Sequence, residues 1–259
     1  MRSFILSSSL TLGLFTVSGI AQCSRETLIA ATESLLAAQT EGAPDTLAAL
    51  ADTVTYLEQF QQADLQAGIL STPITIEFNR SLIDTTQCAT YTEMIAPSGD
   101  HPYVLGTQMH FTSEGVITNI STLVTDRGDW LFNATGTYYW ASQENWDTIP
   151  EDQRDSREVI QAAADAYADI FSDKSVTVPW GSPCARLEGG AYTGSGQPTD
   201  RCDVGIPSGV ELVNRRYVID ETLGAVDVFI DFASLPDSHE FRIEGGKIRF
   251  VHTLTVMGS

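Results

Sequence analysis

The chain has 259 residues, 14 of them Lys or Arg and 34 Asp or Glu, for a net charge of −20. Hydrophobic residues make up 42% and charged ones 19%, which excludes intrinsic disorder, a state that needs low apolar content together with high charge. So acidic a chain argues against nucleic acid as a partner, because binding phosphates requires Lys and Arg to displace counterions, and it disfavours anionic membranes for the same reason.

In chain order, residues 1–21 read as a secretory signal. Arg2 supplies the basic start, Phe4 to Val17 the apolar run, and Gly19-Ile20-Ala21 the small residues of a cleavage site before Gln22. The run is too short and too rich in serine for a good membrane anchor. The remaining chain is expected to be secreted or to sit in the secretory lumen, as residues 22–145 and 146–259. Glu26 to Gln39 has helical spacing, with Leu28, Ile29, Leu35 and Leu36. A second short helix is expected over Asp45 to Ala51, after the Gly42-Ala43-Pro44 break. Strands are expected at Thr53–Phe60, Thr75–Ile83, Thr90–Ile95, Tyr103–Phe111, Val116–Thr125 and Trp130–Tyr139. Gln143 to Asp155 is polar, contains Pro150 and reads as a linker. Glu158 to Phe171 is the next helix. Trp180 to Gly190 reads as a loop held by a disulfide. Strands follow at Val210–Asp220, Ala225–Phe232, Glu240–Ile243 and Lys247–Val256.

The two halves repeat. Ser24-Arg25-Glu26 matches Ser156-Arg157-Glu158. Leu82-Ile83-Asp84 matches Val218-Ile219-Asp220. Phe111 to Gly115 matches Phe241 to Gly245, and Ile117–Thr125 matches Ile248–Val256, at offsets of 132, 136, 130 and 131 residues. One chain would then supply both units of a pseudo-dimer, so a monomer is expected.

Four cysteines, Cys23, Cys88, Cys184 and Cys202, allow three pairings. Cys23–Cys88 with Cys184–Cys202 keeps each bridge inside one half. Asn79, Asn119 and Asn133 begin glycosylation sequons. No cysteine and histidine spacing suggests zinc, and no motif for a phosphate cradle, a serine elbow or a dinucleotide is present. No cofactor is expected.

The strand Lys247 to Val256 carries Ile248, Phe250, His252, Leu254 and Val256 on one face. His252 is the polar member of that row. It is either a core histidine bonded to a neighbour or a general base. Arg216, Val218 and Asp220 share one face of their strand, and Tyr217 lies on the other. The arginines either form structural ion pairs or clamp a carbonyl. His239 sits in a loop entering a strand, in a position that looks parallel to His110. Trp180 can wall a pocket.

Helices followed by a curved antiparallel sheet in each half, with the stretch Asp45 to Tyr56, resemble the NTF2-like cone fold. The fold class is therefore expected to be α+β, two tandem cones. The segments Trp180 to Gly190, Asn214 to Asp220, His239 to Arg242 and Val251 to Thr255 resemble a family of secreted fungal proteins of unassigned function. They also show a distant similarity to the fungal hetero-Diels–Alderases that build tropolone sesquiterpenoids. The resemblance implies a cofactor-free cyclase, pericyclase or isomerase acting on a small apolar metabolite. His252, Arg216 and Tyr217 would act on it, with Trp180, Asp220, Phe250 and His239 lining the pocket. The alternatives are a non-catalytic secreted binding or effector protein and a secreted hydrolase.

Overall fold

The computed structural model describes residues 23–258, so the signal expected over residues 1–21 lies outside the described residues. Helix α1 spans Arg25–Glu41. Ser24 caps it by accepting the Thr27 N–H at 3.1 Å, and Gly42 ends it at φ 64°, a left-handed conformation that suits glycine. Its buried residues Leu28, Ala31, Leu35 and Ala38 recur at helical spacing. Strands β1 (Leu50–Glu58) to β6 (Ile117–Thr125) follow: β2 is Gln61–Gln62, β3 Phe78–Asp84, β4 Ala89–Ala96 and β5 Tyr103–Phe111. They form a sheet in the order β2-β1-β6-β5-β4-β3, antiparallel apart from the parallel β1–β6 pair. After helix α2 (Ala134–Ala141) and helix α3 (Arg157–Asp169) the same plan recurs. Strands β7 (Trp180–Glu188), β8 (Ala191–Tyr192), β9 (Leu212–Asp220), β10 (Ala225–Phe232), β11 (Leu235–Glu244) and β12 (Lys247–Thr255) form the order β8-β7-β12-β11-β10-β9. The protein is thus α+β, with two tandem NTF2-like cones.

Three expected elements differ. Asp45 to Ala51 is a 3-10 turn over Pro44–Thr46 that passes into β1 at Leu50. The Pro44 opening gives the chain one tight turn, too short for a helix. Trp130 to Tyr139 is not a strand. Its aromatic content is β-like, but the Asn133 side chain accepts the Gly136 N–H at 3.0 Å and starts α2, whose Ala134, Thr137 and Ala141 face is buried. Trp180 to Gly190 is a strand rather than a loop. Its Pro183 sits where the β7–β12 register shifts, and a bulge tolerates the missing N–H.

The disulfides are Cys23–Cys88 and Cys184–Cys202, one in each half, which fits an oxidising, secretory compartment. No helix among the described residues is long and apolar enough to cross a membrane.

Helices α1 and α3 pack on the outer faces of their own sheets, α1 around Leu28 and Leu35 and α3 around Ile160 and Tyr167, whereas α2 packs against strands of both sheets through Ala134 and Ala141. The other faces of the two sheets pack on each other through Leu82, Tyr91, Leu123, Val218, Phe229 and Val256. The order of layers is helix, sheet, sheet, helix. The matched Arg and Asp of the repeat explain how the halves are locked. Arg25 of α1 donates two bonds to Asp220 of the other half, at 2.9 and 2.8 Å. Arg157 of α3 donates two to Asp84, at 2.8 and 2.7 Å. Each aspartate also accepts a backbone N–H across the join, Asp220 from Ile83 and Asp84 from Ile219. Forked guanidinium–carboxylate pairs with fully buried carboxylates are strong. Asp84→Asn and Asp220→Asn should each lower the unfolding free energy by about 2 kcal/mol in urea titrations, and by similar amounts. Clearly unequal losses would contradict the pseudo-symmetry.

Strand registers refine the repeat. Leu105 faces Val124 as Asp237 faces Thr255, and Thr107 faces Thr122 as His239 faces Thr253. His239 therefore corresponds to Thr107, not to His110, and Phe241 corresponds to Met109, not to Phe111. The sequence match at Phe111 is displaced by two residues. A two-residue slip keeps the same face of a strand, so alternation cannot detect it.

Candidate active site

The second cone is open and the first is filled. Between α3 and the second sheet lies a cavity of about 360 Å³. Tyr167 and Phe171 come from the helix side, Arg186 and Glu188 from β7, Asp237 and His239 from β11, and Thr253 and Thr255 from β12. Trp130, Ile206 and Met257 also line it. Trp130 and Met257 are 47% and 41% exposed, and so place the mouth.

Alternation along β11 sends Asp237 and His239 to the same side, where both are buried. His239 Nδ1 lies 2.6 Å from Asp237 Oδ1, off the line of a good hydrogen bond. The second Asp237 oxygen accepts from Thr255 Oγ1 at 2.6 Å. Nδ1 thus faces the carboxylate, and Nε2, with no hydrogen-bond partner among the described residues, is the free ring nitrogen. Arg186 is 4% exposed. It donates to the Cys202 carbonyl at 2.9 Å and pairs with Glu188 at 2.9 Å, while its Nε has no partner. The Tyr167 hydroxyl is also at Arg186, and burial holds its pKa well above the ordinary tyrosine value.

In the first cone the equivalent positions are Leu35 for Tyr167, Tyr56 for Arg186, Leu105 for Asp237 and Thr107 for His239. A 3-10 turn carries Ile69 and Leu70 into that core, against Tyr56. The fit is close at Gly68, where an added Cβ would lie 2.2 Å from Glu58 Oε1. Glu58 accepts the Ile69 N–H there, whereas its counterpart Glu188 pairs with Arg186 beside open space.

His252 lies elsewhere. The shift in pairing around Arg249 puts Val251, Thr253 and Thr255 on the helix side, and Phe250, His252 and Leu254 on the sheet–sheet side. His252 is 2% exposed. Its Nδ1 is 3.0 Å from Glu93 and its Nε2 2.7 Å from Glu144 of the linker. Arg80 Nη2 is 2.8 Å from Glu93, 2.5 Å from Glu240 and 3.0 Å from His252. Trp146 covers this centre, its ring 3.7 Å from the Arg80 guanidinium. Burial works to lower the His252 pKa, but Glu93 and Glu144 outweigh it and raise the value to about 10. His252 is a charged member of an ion cluster, not a neutral base. Glu93, Glu240 and His252 have the spacing of metal ligands, but the Arg80 guanidinium lies among them and supplies the cation.

Arg216 occupies the place in the second half that Arg80 has in the first. Phe229 stands opposite it instead of Glu93, and its guanidinium lies 3.9 Å from the Phe60 ring. Tyr217 donates to Asp165 of α3 at 2.6 Å. Trp180 stands behind the cavity, edge-on to Tyr167 at 5.7 Å. Asp220 belongs to the lock with Arg25, and Phe250 stacks on Trp146. Of these residues His239 alone lines the cavity. It is a buried strand residue rather than a loop residue, because β11 begins at Leu235. Asp237, Arg186 and Tyr167 were missed. Asp237 and His239 alternate as strand neighbours do, and that spacing was the available signal. Arg186 and Tyr167 carried none.

No curated protein matches the chain. Solved structures similar to parts of it include two proteins of unknown function. A protein of unknown function with a cystatin-like fold from Methylobium petroleophilum PM1 is 14% identical at a TM-score of 0.33, over 42% of this chain and 81% of that one. An NTF-2 like protein of unknown function from Burkholderia xenovorans LB400 is 15% identical at a TM-score of 0.32, over 46% of this chain and 97% of that one. Residues 153–255, the half that contains the open cavity, match the family described as Domain of unknown function (DUF8021).

Proposed function

We propose that this is a secretory-pathway enzyme that isomerises or cyclises a small, mainly apolar metabolite in the second cone without a cofactor. The observation that carries the reading is the Asp237–His239 pair, buried in the wall of an open cavity where the first cone has Leu105 and Thr107. His239 Nε2 takes a proton from a carbon beside a carbonyl. The C–H electron pair moves into the new double bond and the carbonyl pair onto oxygen. Arg186 Nε and the Tyr167 hydroxyl donate to that oxygen. The proton returns from Nε2 to a different carbon, or the enolate carbon adds to an electrophilic double bond of the same substrate, whose displaced π pair takes the proton back from Nε2. Asp237 orients the imidazole and stabilises its charged form. A substrate class like that of the tropolone hetero-Diels–Alderases belongs to the same proposal. Glycans at Asn79, Asn119 and Asn133, a fungal source and a monomeric state belong to this proposal. Hydrolysis by a carboxylate pair has less support, because both carboxylates of the cavity are engaged, Glu188 with Arg186 and Asp237 with His239 and Thr255.

The test uses a β,γ-unsaturated cyclic ketone in D₂O, with binding followed by displacement of anilinonaphthalene sulfonate. Wild type should incorporate deuterium. His239→Gln should slow incorporation about 10²–10⁴-fold while ketone affinity stays within about twofold. A cavity that binds the ketone but exchanges no hydrogen makes the protein a carrier and sinks the catalytic reading.

A further inference from the structure

The connection between β8 and β9, residues 193–211, contributes Gly205 and Ile206 to the wall of the open cavity. Its counterpart in the first half, residues 63–77, carries the turn that fills the first cone. We propose that Gly205 and Ile206 are the specificity-determining residues of the second cone and set the length of apolar arm its ligand carries. The inference rests on the reading that this cone binds a small, mainly apolar compound, and not on catalysis.

Backbone bonds align the two connections. The Ile74 N–H donates to the Gln39 carbonyl near the end of α1, and the Val210 N–H donates to the Phe171 carbonyl just after α3. The two carbonyls are offset by 132 residues, as the starts of the helices are, and the two N–H groups by 136, as Leu82 and Val218 are. Four residues before the N–H groups stand Leu70 and Ile206, and next to them Ile69 and Gly205. Two apolar side chains in the first half thus become one in the second. Leu70 is 2% exposed within the first core, whereas Ile206 is half-buried at the cavity wall.

Polar anchors decide how deep each connection goes. Gln39 Nε2 donates to the Ile69 carbonyl at 2.9 Å inside the first cone, and Glu58 accepts the Ile69 N–H. A buried backbone group without a partner is costly, so a segment this deep needs such anchors. In the second half neither anchor serves. Phe171 stands in the place of Gln39 and has no donor, and Glu188 pairs with Arg186. The connection is held from outside instead, where exposed Lys174 donates to the Pro207 carbonyl at 2.5 Å and to the Ile206 carbonyl at 3.4 Å. A Cβ added at Gly205 would meet only Arg186 Nη2 among the described residues, at 3.9 Å, so this position borders open space. A ligand held at Arg186 therefore passes Gly205 and meets Ile206.

A series of 4-alkylcyclohexanones, from methyl to hexyl, tests this on the full chain by displacement of anilinonaphthalene sulfonate. Ile206→Ala should raise the hexyl-to-methyl affinity ratio about tenfold, and Ile206→Trp should lower it by a similar factor. Asparagine tolerates the left-handed φ of 65° at Gly205 and would place a side chain beside Arg186. Gly205→Asn should therefore weaken every ketone about fivefold or more. Leu70→Ala, the matched change in the filled cone, should lower the urea midpoint and leave the ratio within about twofold. An unchanged ratio in the Ile206 variants overturns the inference. So does full affinity in Gly205→Asn, or no binding of any ketone at millimolar concentration. Hydrogen exchange into a bound ketone with the ratio unchanged would sink this inference and leave the proposed function standing. Arm-length selectivity without exchange would do the reverse.

Discussion

Arg80→Met should cost about 3–5 kcal/mol of unfolding free energy. Arg80 is 8% exposed, and the carboxylates it serves, Glu93 and Glu240, are fully buried. Burial alone would lower the guanidinium pKa, but Glu240 and Glu93 more than offset it and hold the charge in place. Methionine fills the volume and keeps an apolar surface under Trp146. What it removes is the cation, and three carboxylates, Glu93, Glu144 and Glu240, then face one histidine. Breaking a buried pair from one side is much worse than never having built it, because the remaining charge keeps its desolvation cost. Arg216→Met is the matched control. Arg216 holds the same position in the repeat but faces Phe229 and rests on Phe60, and two of its buried nitrogens have no partner. Its loss should cost about 1 kcal/mol or less, mainly packing and the ring contact. Urea titrations of both variants decide the matter. Equal losses would mean that the Arg80 cluster contributes no more than packing.

Stability should fall on the alkaline side, and His252 should account for one proton of that slope. The folded pKa is raised to about 10 by Glu93 and Glu144 against the opposing effect of burial. The unfolded value is the ordinary one, about 6.5. Below about pH 6.5 both states hold the proton and the stabilisation is complete. Between about pH 7 and 10 the unfolded chain releases it and the folded chain keeps it, so the contribution drains away as pH rises through the folded pKa. One proton corresponds to about 1.4 kcal/mol per pH unit. Glu240, raised by burial, has the same sign, but its loss sets in as pH rises past the ordinary carboxylate range. Glu93 is lowered by His252 and Arg80 against burial, and its contribution is lost instead as pH falls below the ordinary carboxylate range. His252→Gln should flatten the alkaline slope by that one proton. Unfolding free energies measured by urea at several pH values give both slopes. An unchanged slope in the variant would show that His252 is not charged in the folded protein.

The linker shows why the cluster matters to architecture. Glu144 and Trp146 belong to the polar stretch between the halves, yet both close over the ion centre. Its composition reads as a spacer. Its contacts make it a clasp between α2 and the second sheet.

Much was legible without coordinates, because it is written in local pattern. The helical spacing of Leu28 and Leu35, the alternation from Lys247 to Val256 and the repeated Ser-Arg-Glu and Ile-Asp pairs specify two copies of a helix-on-sheet unit. The cysteine positions favour one bridge per half, as observed. The row Phe250, His252 and Leu254 was legible as a face, but Ile248, expected in the same row, lies on the helix side with Val251 because the pairing is irregular at Arg249. Which partner His252 meets was not legible, because alternation says that two faces differ and never what covers each one. In this protein both faces of the second sheet are covered, one by α3 and one by the other sheet. The register shift at Arg249 and the packing of the first sheet put His252 into an ion cluster, and the same strand's Thr253 and Thr255 into the cavity. The candidate site is assembled from α3, β7, β11 and β12, across about 90 residues of chain, and long-range packing alone decides that Asp237, His239, Arg186 and Tyr167 share one wall. Local pattern is enough for the repeat, for most of the helices and strands and for a preference for one bridge per half. The tertiary structure decided which cone is open, because that turns on whether a distant segment such as Ile69 and Leu70 packs into it.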